Sequence, residues 1–129
     1  MEGCEYMKRD LDLLRNILLK IENLDSANTE ITKESFSDLN SDIDLIYYHL
    51  QLLNDAGFIK SSDISWKLSS NMLVKRLTFS GCEYLDLVRN QGVWENTKSK
   101  LIKIGGSASI SIIKEVAESV IREGFKTFT

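Results

Sequence analysis

The chain has 129 residues, 43% of them apolar, with a formal charge of −3 and a pI near 5.2. That is the length of one domain with enough apolar content for a core. The negative balance excludes bulk electrostatic attraction to nucleic acid or anionic membrane and leaves only local patches to act.

Proline is absent, so helix ends depend on Gly, Ser and Asn. Cys4 and Cys82 lie in no motif, which fits free thiols in a reducing cytoplasm. No signal peptide and no long apolar run are present, so neither ordinary secretion nor a membrane span is expected.

Residues 1–6 form a leader without pattern. Met7, Leu11, Leu14, Leu18 and Ile21 then recur on one stripe, broadened by Ile17, and predict an amphipathic helix to about Asn23. Lys8, Arg9, Asp12, Arg15 and Lys20 lie off the stripe and read as a solvated face. Residues 25–40 are polar, with Ile31, Phe36 and Leu39 as the apolar exceptions. Two readings stay open there: Thr32 with Glu34 and Ser35 starting a short helix, or Glu30-Ile31-Thr32 forming a short strand.

Ile43, Ile46, Tyr47, Leu50 and Leu53 predict a central helix, with Ser41 as N-cap and Asp42 and Asp44 in its first turn. Gly57 sits where a left-handed stop is needed, and Phe58 or Ile59 folds back over the last turn. The face opposite the core line carries Asp44, Leu45, Tyr48, His49, Gln51, Leu52 and Asp55. No Lys or Arg lies between Lys33 and Lys60. Leu45 and Leu52 have two readings, burial by the C-terminal helices or a contact surface for a partner.

Phe58-Ile59-Lys60 and Leu73 to Phe79 have strand character and predict a hairpin. Lys60, Lys67, Lys75 and Arg76 form its basic cluster, opposed by Asp63, and Trp66 sits in its loop. Ser80-Gly81-Cys82-Glu83 matches a capping box for a helix with Tyr84, Leu85 and Val88 inward, broken at Gln91-Gly92. Trp94, Thr97, Leu101 and Ile104 mark another helix, with Trp94 in the core. After a joint at Gly105-Gly106, Ile110, Ile113, Ala117, Val120 and Ile121 line a terminal helix from Ser109 to Gly124, broadened by Ile112 and Val116. That wide apolar face suits packing on the chain's own core or a homodimer. Its polar face balances Lys114, Arg122 and Lys126 against Glu115, Glu118 and Glu123, which is not the basic face a lipid surface needs.

The order helix, short element, helix, Gly stop, hairpin predicts a mainly α fold with a small β-wing. It is a winged helix-turn-helix over residues 7–92 with a C-terminal helical extension, 93–129. His49 is the one histidine, and no metal spacing, nucleophile–base pair or phosphate loop accompanies it, so it reads first as a structural or hydrogen-bonding helix residue. No enzyme, metal or cofactor is therefore expected.

Four blocks carry a resemblance: Met7-Lys8-Arg9-Asp10-Leu11-Asp12-Leu13-Leu14-Arg15; Ile46 to Leu53 with Asp55-Ala56-Gly57-Phe58-Ile59; Arg76 to Asp86; and Val93-Trp94. Together they resemble an uncharacterised family of small bacterial, prophage-borne proteins classed as a domain of unknown function. Phe79 and Ser80 depart from that family's pattern. The resemblance implies a winged-helix core and a mobile-element context, and it supplies no catalytic residues.

Two functions are expected from different classes. The first is a DNA-binding transcriptional regulator of a phage or other mobile element, with Lys60, Lys67, Lys75 and Arg76 on phosphates and Tyr48, His49 and Gln51 facing base edges. The second is a protein-binding module that engages a host or defence protein through Asp44, Leu45, Tyr48, Leu52 and Trp66.

Overall fold

A computed structural model describes residues 9–24, 31–103 and 109–128, with side chains in the last segment as far as 123. Met7, Lys8, Glu30, Ile104, the Gly105-Gly106 joint and the side chains of Phe125 and Phe128 lie outside the described residues. Among the described residues the chain is mainly helical with one two-stranded antiparallel sheet. It divides into two compact units, Met1–Cys82 and Glu83–Thr129.

In the first unit, α1 (Leu11–Asn23) starts at Asp10, whose carboxylate accepts from the Leu13 amide at 3.1 Å. Leu13, Leu14, Ile17, Leu18 and Ile21 are buried. Arg15, expected on the solvated face, is buried as well. Its neighbours Leu14 and Leu13 widen the buried arc, so the aliphatic stem is covered along with them. Lys20 reaches Asp38 at 2.7 Å and ties α1 to the turn beyond the next element.

Of the two open readings of the following segment, the short helix occurs as a 3₁₀ turn, and the strand is reduced to a single bridging residue. Ile31 forms a bridge to Val74, whose amide donates to the Ile31 carbonyl at 2.7 Å. A 3₁₀ turn, Lys33–Phe36, follows at once, with the Thr32 amide donating to Ser35 Oγ at 3.0 Å.

The central helix, α2 (Ile43–Asp55), is capped by Asp42 rather than Ser41. Asp42 accepts from the Leu45 amide at 3.2 Å, and the Asn40 side chain in turn accepts from the Asp42 amide at 2.8 Å. A carboxylate meets the helix dipole better than a hydroxyl does. The helix ends in a Schellman motif. Gly57 has φ +78°, its amide donates to the Asn54 carbonyl at 3.0 Å, and the Phe58 amide donates to that of Leu53 at 2.9 Å. Phe58 and Leu53 are both buried, the apolar contact that completes this stop.

The hairpin pairs β1 (Ile59–Asp63) with β2 (Met72–Leu77). Ile59 faces Leu77 and Lys60 faces Arg76, but Ser61 faces Val74, so Lys75 is the extra residue of a bulge. Ile59, Val74 and Leu77 are buried towards the hairpin's root, and Met72 is buried at the far end of the ladder, opposite Asp63. There Asn71 clips the hairpin to the 3₁₀ turn: its side chain accepts from the Lys33 amide at 3.2 Å and donates to Glu34 at 2.9 Å.

The next helix, α3 (Phe79–Val88), is capped two residues before the expected Ser80. Thr78 holds its start, accepting from the Gly81 amide at 3.1 Å and donating to the Gly57 carbonyl. Ser80 and Glu83 are therefore not its capping box. Gly81 is required by packing: a Cβ there would stand 2.1 Å from the Phe58 carbonyl oxygen.

In the second unit, Tyr84, Leu85 and Val88 of α3 are buried as expected. Gln91-Gly92 does not break the chain into loop but opens α4 (Gln91–Lys103), with Asn90 accepting from the Val93 amide at 3.0 Å. Trp94, Thr97 and Leu101 are its buried line. It packs against α5 (Ile110–Phe128), where Ile113, Ala117 and Val120 are buried and Lys100 meets Glu123 at 3.0 Å. Ile110 and Ile121 are half-buried, and Ile112 remains 40% exposed.

Candidate functional site: the cleft between α2 and the hairpin

Ser61 Oγ donates to the Asn54 side chain at 2.7 Å and holds the hairpin beside α2. Between them lies an open cleft of about 370 Å³. From α2 it takes Tyr47, Tyr48, Gln51, Leu52 and Asp55; from the hairpin it takes Ser61, Asp63, Asn71 and Met72. Its ionisable side chains are two carboxylates and two phenols, with no cation among them. Asp63 is held below the usual carboxylate range by its hydrogen bonds from Ser65, whose amide donates at 2.8 Å. A second, shallower groove lies elsewhere on the first unit, lined by Ile21, Glu22, Leu24 and Ile31 together with Lys75 and Arg76.

The predicted site residues separate accordingly. Tyr48 and Leu52 are half-buried at the cleft and Gln51 is exposed there. Asp44 is exposed and Leu45 half-buried. Lys60, Lys67, Lys75 and Arg76 are all exposed, and none forms an ion pair with another described residue. Arg76 donates to the Leu77 carbonyl at 2.9 Å. Lys75 and Arg76 thus line a different groove from the α2 face, and Lys60 and Lys67 line neither.

His49 has the structural, hydrogen-bonding role expected of it, but not the expected place: it is fully buried rather than on the outer face, and its ring cannot meet a base edge. Its Nε2 accepts from the Asp10 amide at 2.8 Å, and its Nδ1 lies 2.8 Å from the Leu45 carbonyl. With Nε2 accepting, Nδ1 carries the proton and donates to Leu45, so the ring is neutral and joins α1 to α2. Burial lowers its pKa below 6.5, against the opposing pull of the Leu45 carbonyl and Asp10. One helical turn separates His49 from Leu45 and Leu53, and the start of α1 at Asp10 meets it on that side; periodicity alone placed it at the margin.

Trp66 is 73% exposed at the hairpin tip, with Leu68 fully exposed and Ile64 at 44%. Sequence reasoning missed Ile64 and Leu68. Their signal was available: apolar residues in a loop with no periodicity to bury them. Tyr47 was assigned to the core line, yet it borders the cleft while Lys33 Nζ sits 5.4 Å from its ring centroid.

Among the described residues, no cluster of three His, Cys, Asp or Glu side chains has metal-holding geometry. No described helix is long and apolar enough to cross a membrane.

The family model described as "Hypothetical protein (DUF2513)" matches residues 8–108. The chain belongs to this family. An uncharacterized protein of Haemophilus influenzae (strain ATCC 51907 / DSM 11121 / KW20 / Rd) is 34% identical over 117 residues, covering 91% of this chain and 98% of the relative. No solved structure matches the chain.

Proposed function

We propose that the protein is a winged helix-turn-helix module without catalytic activity, working inside the cell, and that it binds a protein partner at the α2 cleft. The winged-helix reading is supported by element order: α1, the Ile31 bridge to β2, the 3₁₀ turn, α2, then the hairpin as wing. In such an arrangement α2 would be the helix offered to DNA.

The observation that carries the partner assignment is electrostatic. The outer face of α2 and the lining of the cleft beside it carry Asp44, Asp55 and Asp63 and no cation; Lys33 stands at the margin, over Tyr47 and bonded to the Ser70 carbonyl, while Lys75 and Arg76 line another groove. Phosphates approaching α2 would meet carboxylates, and DNA affinity depends on cations at that place. A lysine- or arginine-bearing protein segment meets complementary charge and two tyrosine rings there.

The test is fluorescence anisotropy of the purified chain with two labelled probes, an arginine-rich peptide and a random-sequence DNA duplex, at about 50 mM salt. The reading expects the peptide to bind, Asp55→Lys to abolish that binding, and the duplex to stay free. A duplex that binds while the peptide does not would overturn it.

The second reading, a DNA-binding regulator of a mobile element, is favoured by the four exposed hairpin cations. Under it the duplex binds, affinity falls steeply with salt, and removing Lys75 and Arg76 together flattens the log–log salt slope by about 2.

A further inference from the structure

The hairpin tip is built in a way that folding does not require. Trp66 and Ser69 exchange backbone hydrogen bonds of 2.8 and 2.9 Å, which closes a two-residue turn at Lys67-Leu68. Such turns favour Gly or Asn where φ is positive. Here Lys67 stands at φ +50°, a conformation that costs a side-chain-bearing residue about 1 kcal/mol. The residue after it is a leucine with no cover at all. Between Asp63 and Lys75 the single charge is Lys67, whose ammonium lies 5.8 Å from the Trp66 ring centroid. The tip therefore offers one positive charge flanked by Trp66 and Leu68, on a rigid two-stranded stem.

The cleft asks for such a ligand. Asp55 and Asp63 supply negative charge, Tyr47 and Tyr48 supply ring faces and edges, and Leu52 and Met72 supply apolar wall. A chain's own tip cannot serve, because the ladder Ser62–Leu73 and Asp63–Met72 holds the stem extended past the cleft.

We propose that the tip, Trp66-Lys67-Leu68, docks in the α2 cleft of a second copy of this chain. The contact is reciprocal: each copy contributes one tip and one cleft, as a two-fold axis requires. Lys67 lies between the partner copy's two carboxylates, and Trp66 and Leu68 leave water. This rests on the cleft being a protein-binding surface and names its occupant. So small a contact gives a weak dimer, with Kd on the order of 10 μM to 1 mM.

The experiment is sedimentation equilibrium of the full chain from about 10 μM to 1 mM, at low and high salt, with circular dichroism confirming that each variant is folded. The expected result is a mass rising from 14.7 kDa towards twice that value, less steeply at high salt. Trp66→Ala, Lys67→Asp and Asp55→Lys should each weaken the dimer at least tenfold. Combining Lys67→Asp with Asp55→Lys should restore it in part, since one swapped pair again faces each other while Asp63 stays acidic. A mass of 14.7 kDa throughout, or a dimer indifferent to all three substitutions, overturns the proposal. So does a monomeric chain that shifts a DNA duplex or pellets with anionic vesicles through Trp66, because the tip then has a different occupant. The arginine-rich peptide separates the two failures. If it binds a monomeric chain, only the self-docking is wrong; if it does not bind, the cleft reading has failed too.

Discussion

The root and the tip of the hairpin carry similar residue types and put them to opposite use. From the root along the ladder, Ile59, Leu77, Val74 and Met72 are buried, and Gly81 brings the backbone of α3 against Phe58. At the tip, Ile64, Trp66 and Leu68 face water. Strand alternation is the same chemistry in both places, but only the root has helices beside it. An apolar side chain within reach of α1 and α2 contributes to stability, while one beyond their reach can contribute only to binding.

The largest effect should come at the root. Gly81→Ala puts a methyl into the Phe58 carbonyl, a backbone atom that cannot rotate away. A loss of about 3 kcal/mol or more is expected from urea unfolding. A loss below about 0.5 kcal/mol would mean that the close approach is not part of the fold in solution.

His49→Phe keeps a planar ring, slightly larger than the imidazole, and removes both hydrogen bonds of the buried side chain, stranding the Asp10 amide. A cost of about 2 kcal/mol is expected. The wild-type ring also gives stability a pH dependence. Its folded pKa lies below 6.5, so the unfolded chain takes up the proton first. The ring's contribution is present above pH 6.5 and is lost as pH falls from there through the folded pKa. His49→Phe should remove that slope, and a slope equal to wild type would show that it has another source.

Gly57→Ala keeps the Schellman hydrogen bonds but places a Cβ at φ +78°, in otherwise open space. About 1 kcal/mol should be lost from strain alone. A smaller loss than at Gly81 is the point of the comparison, since Gly81 is required by a neighbour and Gly57 by its own backbone.

The smallest effect should be at the tip. Trp66→Ala is expected to change stability by less than about 0.5 kcal/mol, because the ring has little to lose on exposure. If it destabilises as strongly as a root substitution, the tip is part of the core and the contrast between the two ends disappears.

Local sequence rules were sufficient wherever a residue's job is to end or line its own element. The Gly57 stop, the hairpin strands, and the buried lines Trp94-Thr97-Leu101 and Ile113-Ala117-Val120 were all legible from spacing and residue type. They were weaker where two residues compete for one role. Asp42 displaced Ser41 as a cap, and Thr78 displaced Ser80, because the true start of each helix depends on what the preceding chain is bonded to. The site was half legible. Tyr48, Leu52 and the hairpin cations are where their patterns put them, but Asp63 and Tyr47 joined the cleft through a neighbour that spacing does not reveal.

The sequence by itself determined the family, the helix-rich composition with one hairpin, the deficit of cations along the central helix, and most buried positions. These follow from periodicity and residue type, which are properties of a single element. Tertiary structure alone decided that His49 is a buried link between α1 and α2, that Lys75 and Arg76 line a different groove from Tyr48 and Asp55, and that Gly81 leaves no room for a side chain. Each of these depends on what a second element places beside the residue, and a hydrogen bond, a groove or a clash exists only once two elements have met.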